Sequence, residues 1–332
     1  MQWSQHRVFV TGASGIVGSW LVKQLLKEGA YVVCLVRDWD PQSELIRSGD
    51  VHRTNVVNGA LEHYDALERA INEHEIDTVF HLGAQPIVST ALRNPLPTFE
   101  ANIRGSYHLL EACRVHASLV KRVVVASSDK AYGDVETLPY TEDMPVNGRH
   151  PYDVSKSCTD LLAMSYAHTY HMPVTVARCG NIYGGGDLNW SRIVPGTIRS
   201  LLRGERPVLR SNGLFTRDYI FVDDVVEAYI ALAAASDRED VRGEAFNFSP
   251  EGRVTVLEIT HAIQRLMDRT DLEPVVLDQV RAEIKDQYLD SSKAKRLLAW
   301  TPRFHLDAGL TQTIAWYRAF LGDPALEATG AR

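Results

Sequence analysis

Hydrophobic positions along the first half of the chain follow two alternating periods. Short, nearly continuous apolar runs have strand length: Val8 to Thr11, Tyr31 to Val36, a third ending at Val56-Val57, Asp77 to Leu82, and Arg122 to Ala126. Between them lie amphipathic stretches of helical period, Ser19 to Glu28, Ala66 to Glu75, and a long one from about Thr98 to His116. Strands apolar throughout are buried on both faces, and helices with one apolar stripe are what cover them. The alternation predicts an α/β fold, a Rossmann-type doubly wound parallel sheet with helices on both faces. A helix from Tyr152 to about Tyr170 and a sixth strand, Pro173 to Arg178, continue it.

The texture then changes. Cys179 to Asp187 is polar and loop-rich, and from there to about Arg217, and again from Glu251, strands become short and helices irregularly spaced. The stretch from Asp218 to Phe248 is expected to return to the sheet, through a helix over Val225 to Ala234 and a strand over Ala245 to Phe248. The pattern therefore predicts a larger unit, residues 1–178 rejoined by 218–250, and a smaller lobe made of 179–217 and 251–332. No internal repeat or low-complexity linker separates them.

Composition narrows the partners. With 332 residues, 45% of them hydrophobic and 23% charged, the chain can bury a large core. A net charge of −7 leaves no electrostatic footprint for nucleic acid, so an anionic ligand must be held by helix N-termini or single arginines. Cys34, Cys113, Cys158 and Cys179 are far apart and lack metal-ligand spacing, which reads as buried free thiols in a reducing compartment and no metal. Met1 to Arg7 carries no apolar signal region and no apolar run reaches membrane-spanning length. The expectation is a cytoplasmic protein with small-molecule partners, no nucleic acid and no membrane.

Two stretches carry chemistry. Val8 to Thr11 runs into Gly12-Ala13-Ser14-Gly15-Ile16-Val17-Gly18 and then a helix. Glycines at a strand-to-helix turn let the backbone approach a pyrophosphate, which the helix N-terminus then holds; a tight turn with close helix packing is the plainer alternative. At the end of the second strand, Arg37 favours NADP over NAD, because an arginine there accommodates the extra phosphate, while the adjacent Asp38 would restore an acid for the ribose of NAD. The second stretch opens with Ser127-Ser128-Asp129-Lys130 after the fifth strand and closes with Tyr152-x-x-x-Lys156. Residues four apart share one helix face. The Lys156 ammonium beside the Tyr152 phenol, with an oxidised nicotinamide near, is expected to lower the phenol towards working pH, so that Tyr152 takes a proton from a substrate hydroxyl while Ser128 binds the same oxygen. A surface tyrosine–lysine pair is the bland reading of the same spacing.

The order TGxxGxxG, His81-Leu82-Gly83-Ala84-Gln85, Asn102-Ile103-Arg104-Gly105, Ser127-Ser128 and Tyr152-x-x-x-Lys156 resembles the extended short-chain dehydrogenase/reductases that act on nucleotide sugars. Ser128-Asp129-Lys130, Gly184 to Asp187, Arg192-Ile193-Val194-Pro195 and Leu289 to Ala294 are most similar to the CDP-glucose 4,6-dehydratases within it. The resemblance implies a tightly bound, recycled NAD(P) held by Gly12, Ser14, Gly15, Ile16, Val17, Gly18, Arg37, Leu61, Leu82, Ala84, Gln85, Asn102, Tyr152 and Lys156. It implies a nucleotide-diphosphate hexose held by Gln85, Asn181, Arg192, Val194, Arg217 and Tyr219. The reaction it implies has no net redox change: hydride leaves C4, the resulting ketone acidifies C5, water is eliminated, and hydride returns to C6. Tyr152, Lys156 and Ser128 would serve the oxidation, Asp129 as acid and Lys130 as base the elimination; related enzymes on other sugars carry a glutamate in place of Lys130. A 4-epimerase would use the first three residues alone, and a silent dinucleotide-binding sensor would need none. Helices from about Thr98 and Tyr152 resemble the pair through which the family forms homodimers. Ala60, where the family has an aspartate near the adenine, and Arg217-Asp218-Tyr219, which is closer to the epimerases and the dTDP- and UDP-sugar enzymes, depart from the CDP-glucose pattern and leave the nucleotide open.

Overall fold

The computed structural model describes residues 1–279 and 284–322; residues 323–332, counted above in the smaller lobe, lie outside this range, as do 280–283. The strands in chain order are β1 (Arg7–Thr11), β2 (Tyr31–Val36), β3 (Asn55–Asn58), β4 (Thr78–His81), β5 (Arg122–Ala126), β6 (Val174–Cys179), β7 (Asn181–Tyr183), β8 (Val208–Leu209), β9 (Thr216–Arg217), β10 (Tyr219–Phe221), β11 (Ala245–Phe248), β12 (Val254–Thr255), β13 (Val275–Val276) and β14 (Asp286–Gln287). Seven of them form one sheet in the order β11-β6-β5-β4-β1-β2-β3. Every neighbouring pair in it is parallel; Val8, for instance, sits opposite Val32 on one side and Thr78 on the other. The strand order reverses between β1 and β4, the position where a doubly wound sheet opens a crevice at its carboxyl edge.

The helices are α1 (Ile16–Lys27), α2 (Glu44–Arg47), α3 (Tyr64–Glu73), α4 (Val88–Arg93), α5 (Pro95–Phe99), α6 (Gly105–Val115), α7 (Pro151–Tyr170), α8 (Ile193–Leu202), α9 (Val222–Ala235), α10 (Val256–Leu266), α11 (Ser292–Leu298) and α12 (Leu306–Leu321). One apolar layer joins Val8, Val10, Val32 and Cys34 of the sheet to Leu21 and Leu25 of α1 and Val225, Tyr229 and Leu232 of α9. The opposite layer joins Phe9, Val33, Val79, Val123 and Val125 to Leu67 and Ile71 of α3, Leu109 and Leu110 of α6, and Ala163 of α7. Alternate residues of each strand serve opposite layers, which is why the strands read as unbroken apolar runs. A third core, with Val194, Ile198, Tyr219, Phe221, Ile259, Ile263, Leu310 and Ile314, gathers α8, α10 and α12 against β10.

The structure corrects three expectations. The helical stretch from Thr98 to His116 is broken: α5 leads into a π-helical turn, Glu100–Arg104, before α6 begins. The Asn102 carbonyl accepts hydrogen bonds from the Ser106 and Thr159 hydroxyls, which loosens the ordinary ladder there. Asn181–Tyr183, read as loop, is a strand that pairs in parallel with Tyr219–Phe221. That pairing also takes the start of the 218–248 stretch out of the main sheet, which it rejoins only through β11.

Candidate active site

The turn between β1 and α1 is built for close approach. Gly12 has φ +70°, and a Cβ there would meet the Gly83 backbone nitrogen at 2.7 Å, so the ends of β1 and β4 pack backbone to backbone. The Gly83 amide donates to Thr11 Oγ1 at 3.1 Å, and the same hydroxyl pairs with His81 Nδ1 at 2.8 Å. Gly18 lies under the turn, where a Cβ would collide with Ala13 Cα and the Gly12 carbonyl. Gly15 is the N-cap of α1 and no side chain caps that end, so its first amides and the positive end of its dipole remain for an anion. An uncapped helix end behind a cradle with no room for Cβ atoms fits the pyrophosphate of a dinucleotide. Ser14, Ile16 and Val17 stand around this end, with Leu61 buried and Leu82 and Ala84 half-buried along the neighbouring strand ends. Arg37 is exposed just past β2, where its Nε donates to Asp38 at 2.7 Å.

At the end of β5 the chain turns sharply into a short 3-10 turn, Asp129–Tyr132, with Ser128 as its N-cap. Ser128 Oγ accepts from the Lys130 amide at 3.2 Å and donates to Asp129 Oδ1 at 2.9 Å. Tyr152, on α7, lies where the Ser128 hydroxyl favours its ionised form. Tyr152 is only 9% exposed, and burial pushes its phenol up to about 12; the Arg192 charge leads the opposition to this, with the Ser128 hydrogen bond helping and Asp129 working against it. Lys156 was expected to supply that opposition. Instead its ammonium is buried and donates to the Ala126 carbonyl at 2.8 Å, and desolvation draws it down to about 8 despite the pull of Asp160. The bland reading of an exposed tyrosine–lysine pair does not hold for either group.

Asp129 and Lys130 are not a surface ion pair. Asp129 is 3% exposed, and its Oδ2 is buried with no hydrogen-bond partner among the described residues. Lys130 Nζ donates to Gln287 Oε1 at 2.9 Å, across 157 positions of sequence. A buried carboxylate oxygen left open costs stability, and such costs are met with at sites that bind a ligand.

Behind these groups runs a buried chain of side chains. His81 Nε2 meets Ser106 Oγ at 3.0 Å; burial pulls this imidazole down to about 3, and the Lys156 charge adds to it, so the ring is neutral. Asn102, in the π turn, accepts from the Gln85 amide at 2.7 Å and donates to the Gln85 carbonyl at 3.2 Å and Ser155 Oγ at 2.9 Å. Ser155 in turn donates to the Tyr152 carbonyl at 2.7 Å. Asn102, expected to touch the cofactor, thus ties the loop after β4 to the helix bearing Tyr152, while Gln85 Oε1 accepts from the Ile87 amide.

The residues expected at the sugar nucleotide are spread along the other wall. Asn181, on β7, has a buried Nδ2 without a partner among the described residues. Arg192 is the N-cap of α8, pairs with Asp187 at 3.0 Å, and is the leading charge that favours the ionised Tyr152 phenol. Val194 and Tyr219 are buried in the third core. Arg217 is 7% exposed and spends Nη1 on the carbonyls of Thr216 and Lys285 at 2.9 and 2.8 Å, so part of its fork fastens β9 to the strand carrying Gln287. Asp218, next to it, accepts from Ser249 Oγ and the Leu289 amide, and burial raises its carboxyl to about 7. Gln287 was not singled out from the sequence, where no local spacing marks it, and Asp218 was noted there only beside Arg217.

Comparison with known proteins agrees with this geometry. A family model described as GDP-mannose 4,6 dehydratase matches residues 9–313. The chain is 31% identical over 337 residues to a CDP-glucose 4,6-dehydratase of Salmonella typhimurium, spanning 96% of this chain and 92% of that one. Among solved structures it resembles a dTDP-glucose 4,6-dehydratase from Streptomyces venezuelae with NAD and TYD bound, at TM-score 0.86 and 25% identity, covering 94% and 97% of the two chains. It resembles a UDP-glucose 4-epimerase from Thermotoga maritima with UDP-glucose equally well, at TM-score 0.86 and 28% identity, covering 95% and 99%.

Proposed function

The chain belongs to the GDP-mannose 4,6-dehydratase family of extended short-chain dehydrogenase/reductases, and from that premise we propose that it dehydrates a nucleotide-diphosphate hexose to the 4-keto-6-deoxy sugar. The observation that carries this is the buried Asp129 with its open Oδ2, set against Ser128 and followed by Lys130. Oxidation at C4 needs only Ser128, Tyr152 and Lys156. An acid and a base beyond them are what elimination requires.

A nicotinamide dinucleotide held by the α1 N-terminus and the Gly12–Gly18 turn would supply reversible hydride exchange. Tyr152 takes the proton of the 4-hydroxyl while Ser128 donates to the oxygen that becomes a ketone. Lys156, one helical turn beyond Tyr152, holds the end of β5 through the Ala126 carbonyl and keeps its charge below about pH 8. Lys130 removes the proton at C5 and later gives it back there, Asp129 protonates the departing 6-hydroxyl, and the proton that Tyr152 took from the 4-hydroxyl is released to solvent, balancing the one that Asp129 regains. Arg192 and Asn181 line the sugar end and Arg217 serves the diphosphate. The nucleotide we favour is CDP, on the likeness to the Salmonella enzyme. Arg37 is the group that selects NADP, and Asp38 competes for its charge. Residues 179–217, 251–279 and 284–322 form the sugar-nucleotide lobe beside the dinucleotide-binding unit, and two chains pair through α6 and α7, which expose Tyr107, Val115, Leu161 and Tyr170.

The competing reading is a 4-epimerase, favoured by the likeness to the Thermotoga structure. Incubation with CDP-, dTDP-, GDP- and UDP-hexoses, followed by product mass, separates the two. Loss of one water is the expected result; an isomer of unchanged mass would establish epimerisation instead.

A further inference from the structure

We propose that Gln287 is the positioning residue that aims the Lys130 amine at the sugar while leaving it free to act as a base. This rests on the dehydratase reading above. The contact is defined by chemistry as well as by distance. As an ammonium Lys130 offers only donors, so the 2.9 Å contact assigns Oε1 to the lysine side of the carboxamide and turns Nε2, which is buried and makes no hydrogen bond among the described residues, towards the Tyr140 hydroxyl. That hydroxyl is itself anchored, donating to the Gly133 carbonyl at 2.6 Å.

Gln287 is fully buried, and its strand is pinned on two sides. β14 pairs in parallel with β9, with Gln287 opposite Arg217, and the Thr216 amide donates to the Lys285 carbonyl at 3.1 Å. On the other side the Tyr140 amide donates to the Tyr288 carbonyl at 3.0 Å, and the Asp290 amide donates to the Tyr140 carbonyl at 2.9 Å. A side chain on so fixed a strand holds the flexible four-carbon stem of a lysine in one direction.

The choice of a carboxamide matters. A carbonyl accepts an N–H from a neutral amine as well as from an ammonium, leaving the lone pair of the amine pointing elsewhere, and it favours the ammonium far less than a carboxylate in its place would. The charged and titratable groups around the pair are Asp129, Asp153 and His150 from the turn and α7, with Tyr140 and Arg217 behind Gln287. In the step concerned, Lys130 nitrogen bonds the C5 proton, the C5–H electron pair becomes the C5=C6 bond, and the 6-oxygen leaves as water with a proton from Asp129. After hydride is restored at C6, the proton on Lys130 returns to C5. Gln287 changes no bonds.

The test compares wild type, Gln287→Glu and Gln287→Met at equal cofactor content, in deuterium oxide, reading deuterium at C5 of the product and dehydration rate against pH. Wild-type product should carry solvent deuterium at C5. Gln287→Glu should move the acid limb of the dehydration profile upward by roughly one pH unit, as a new adjacent carboxylate does to a base. Gln287→Met, similar in size and without the acceptor, should lower the dehydration kcat by about 10- to 100-fold with little change in KM, since a misaimed base loses much of its effect. A Gln287→Glu profile that coincides with wild type, or a Gln287→Met enzyme with unchanged kcat, overturns the assignment while leaving the dehydratase reading intact. A wild-type enzyme that forms no water-loss product overturns both.

Discussion

Replacing Lys156 by methionine should stabilise the fold at neutral pH while removing C4 oxidation. The ammonium is buried on α7 with one hydrogen bond, to the Ala126 carbonyl, and desolvation draws its pKa from 10.5 to about 8. Between those two values the unfolded chain holds a proton that the folded chain has released. Unfolding therefore takes up a proton, and the stability of the wild type rises with pH across the interval of about 8 to 10.5. At about 1.4 kcal/mol for each pH unit, the interval amounts to about 3 kcal/mol, the cost of keeping the charge buried at pH 7. Methionine fills most of the same space without that charge, and forfeits the hydrogen bond, which is worth about 1 kcal/mol. The net expectation is a variant more stable than wild type by about 2 kcal/mol at pH 7 and slightly less stable at pH 10.5. Urea unfolding of both proteins at matched cofactor content, from pH 7 to 10.5, reads this directly. Tyrosines and cysteines also titrate in this range, but they are common to both proteins and leave the difference between the curves. Parallel curves, or a variant weaker than wild type at pH 7, would refute the reasoning.

Three further outcomes follow from the site. Asp129→Asn should cut water loss by about 10²- to 10⁴-fold while leaving oxidation at C4, visible as accumulating nicotinamide absorbance; an unaffected dehydration rate would remove Asp129 from the acid role. Asn102→Ala strands the Gln85 amide and carbonyl and takes a donor from the Ser155 hydroxyl, and should cost about 2–3 kcal/mol in urea unfolding together with weaker cofactor retention, whereas unchanged retention would show that the loop after β4 holds its place without Asn102. Arg37→Ala should weaken NADP binding by about tenfold relative to NAD, measured by titration of cofactor-free protein, and equal effects on the two would show that Arg37 does not select.

The sheet and its glycine turn were legible because each rests on local pattern. Val8 to Thr11, Tyr31 to Val36 and Arg122 to Ala126 are apolar on both faces, and Gly12, Gly15 and Gly18 stand where a strand must hand over to a helix. Ser128, Tyr152 and Lys156 were legible for the same reason, since strand end and helix start bring them together. What stayed hidden depends on contacts distant in sequence. The π turn at Asn102 exists because Thr159 on another helix shares its carbonyl, and β7 is a strand only because Tyr219 to Phe221 lies beside it. Gln287 sits in a short, polar strand of ordinary composition, and only the fold sets it against Lys130. The leading charge on Tyr152 stayed hidden for a related reason: helical spacing puts Lys156 one turn away, whereas Arg192 stands at the N-cap of α8, forty residues after Tyr152.

The central claim is that the hydrogen removed at C4 reappears at C6 of the same sugar after water has left. Supplying nucleotide-diphosphate glucose deuterated at C4 and locating the label in the product by NMR tests this most directly. Deuterium at C6 of a 4-keto-6-deoxy sugar is the predicted result. Deuterium retained at C4 of an inverted hexose would contradict it.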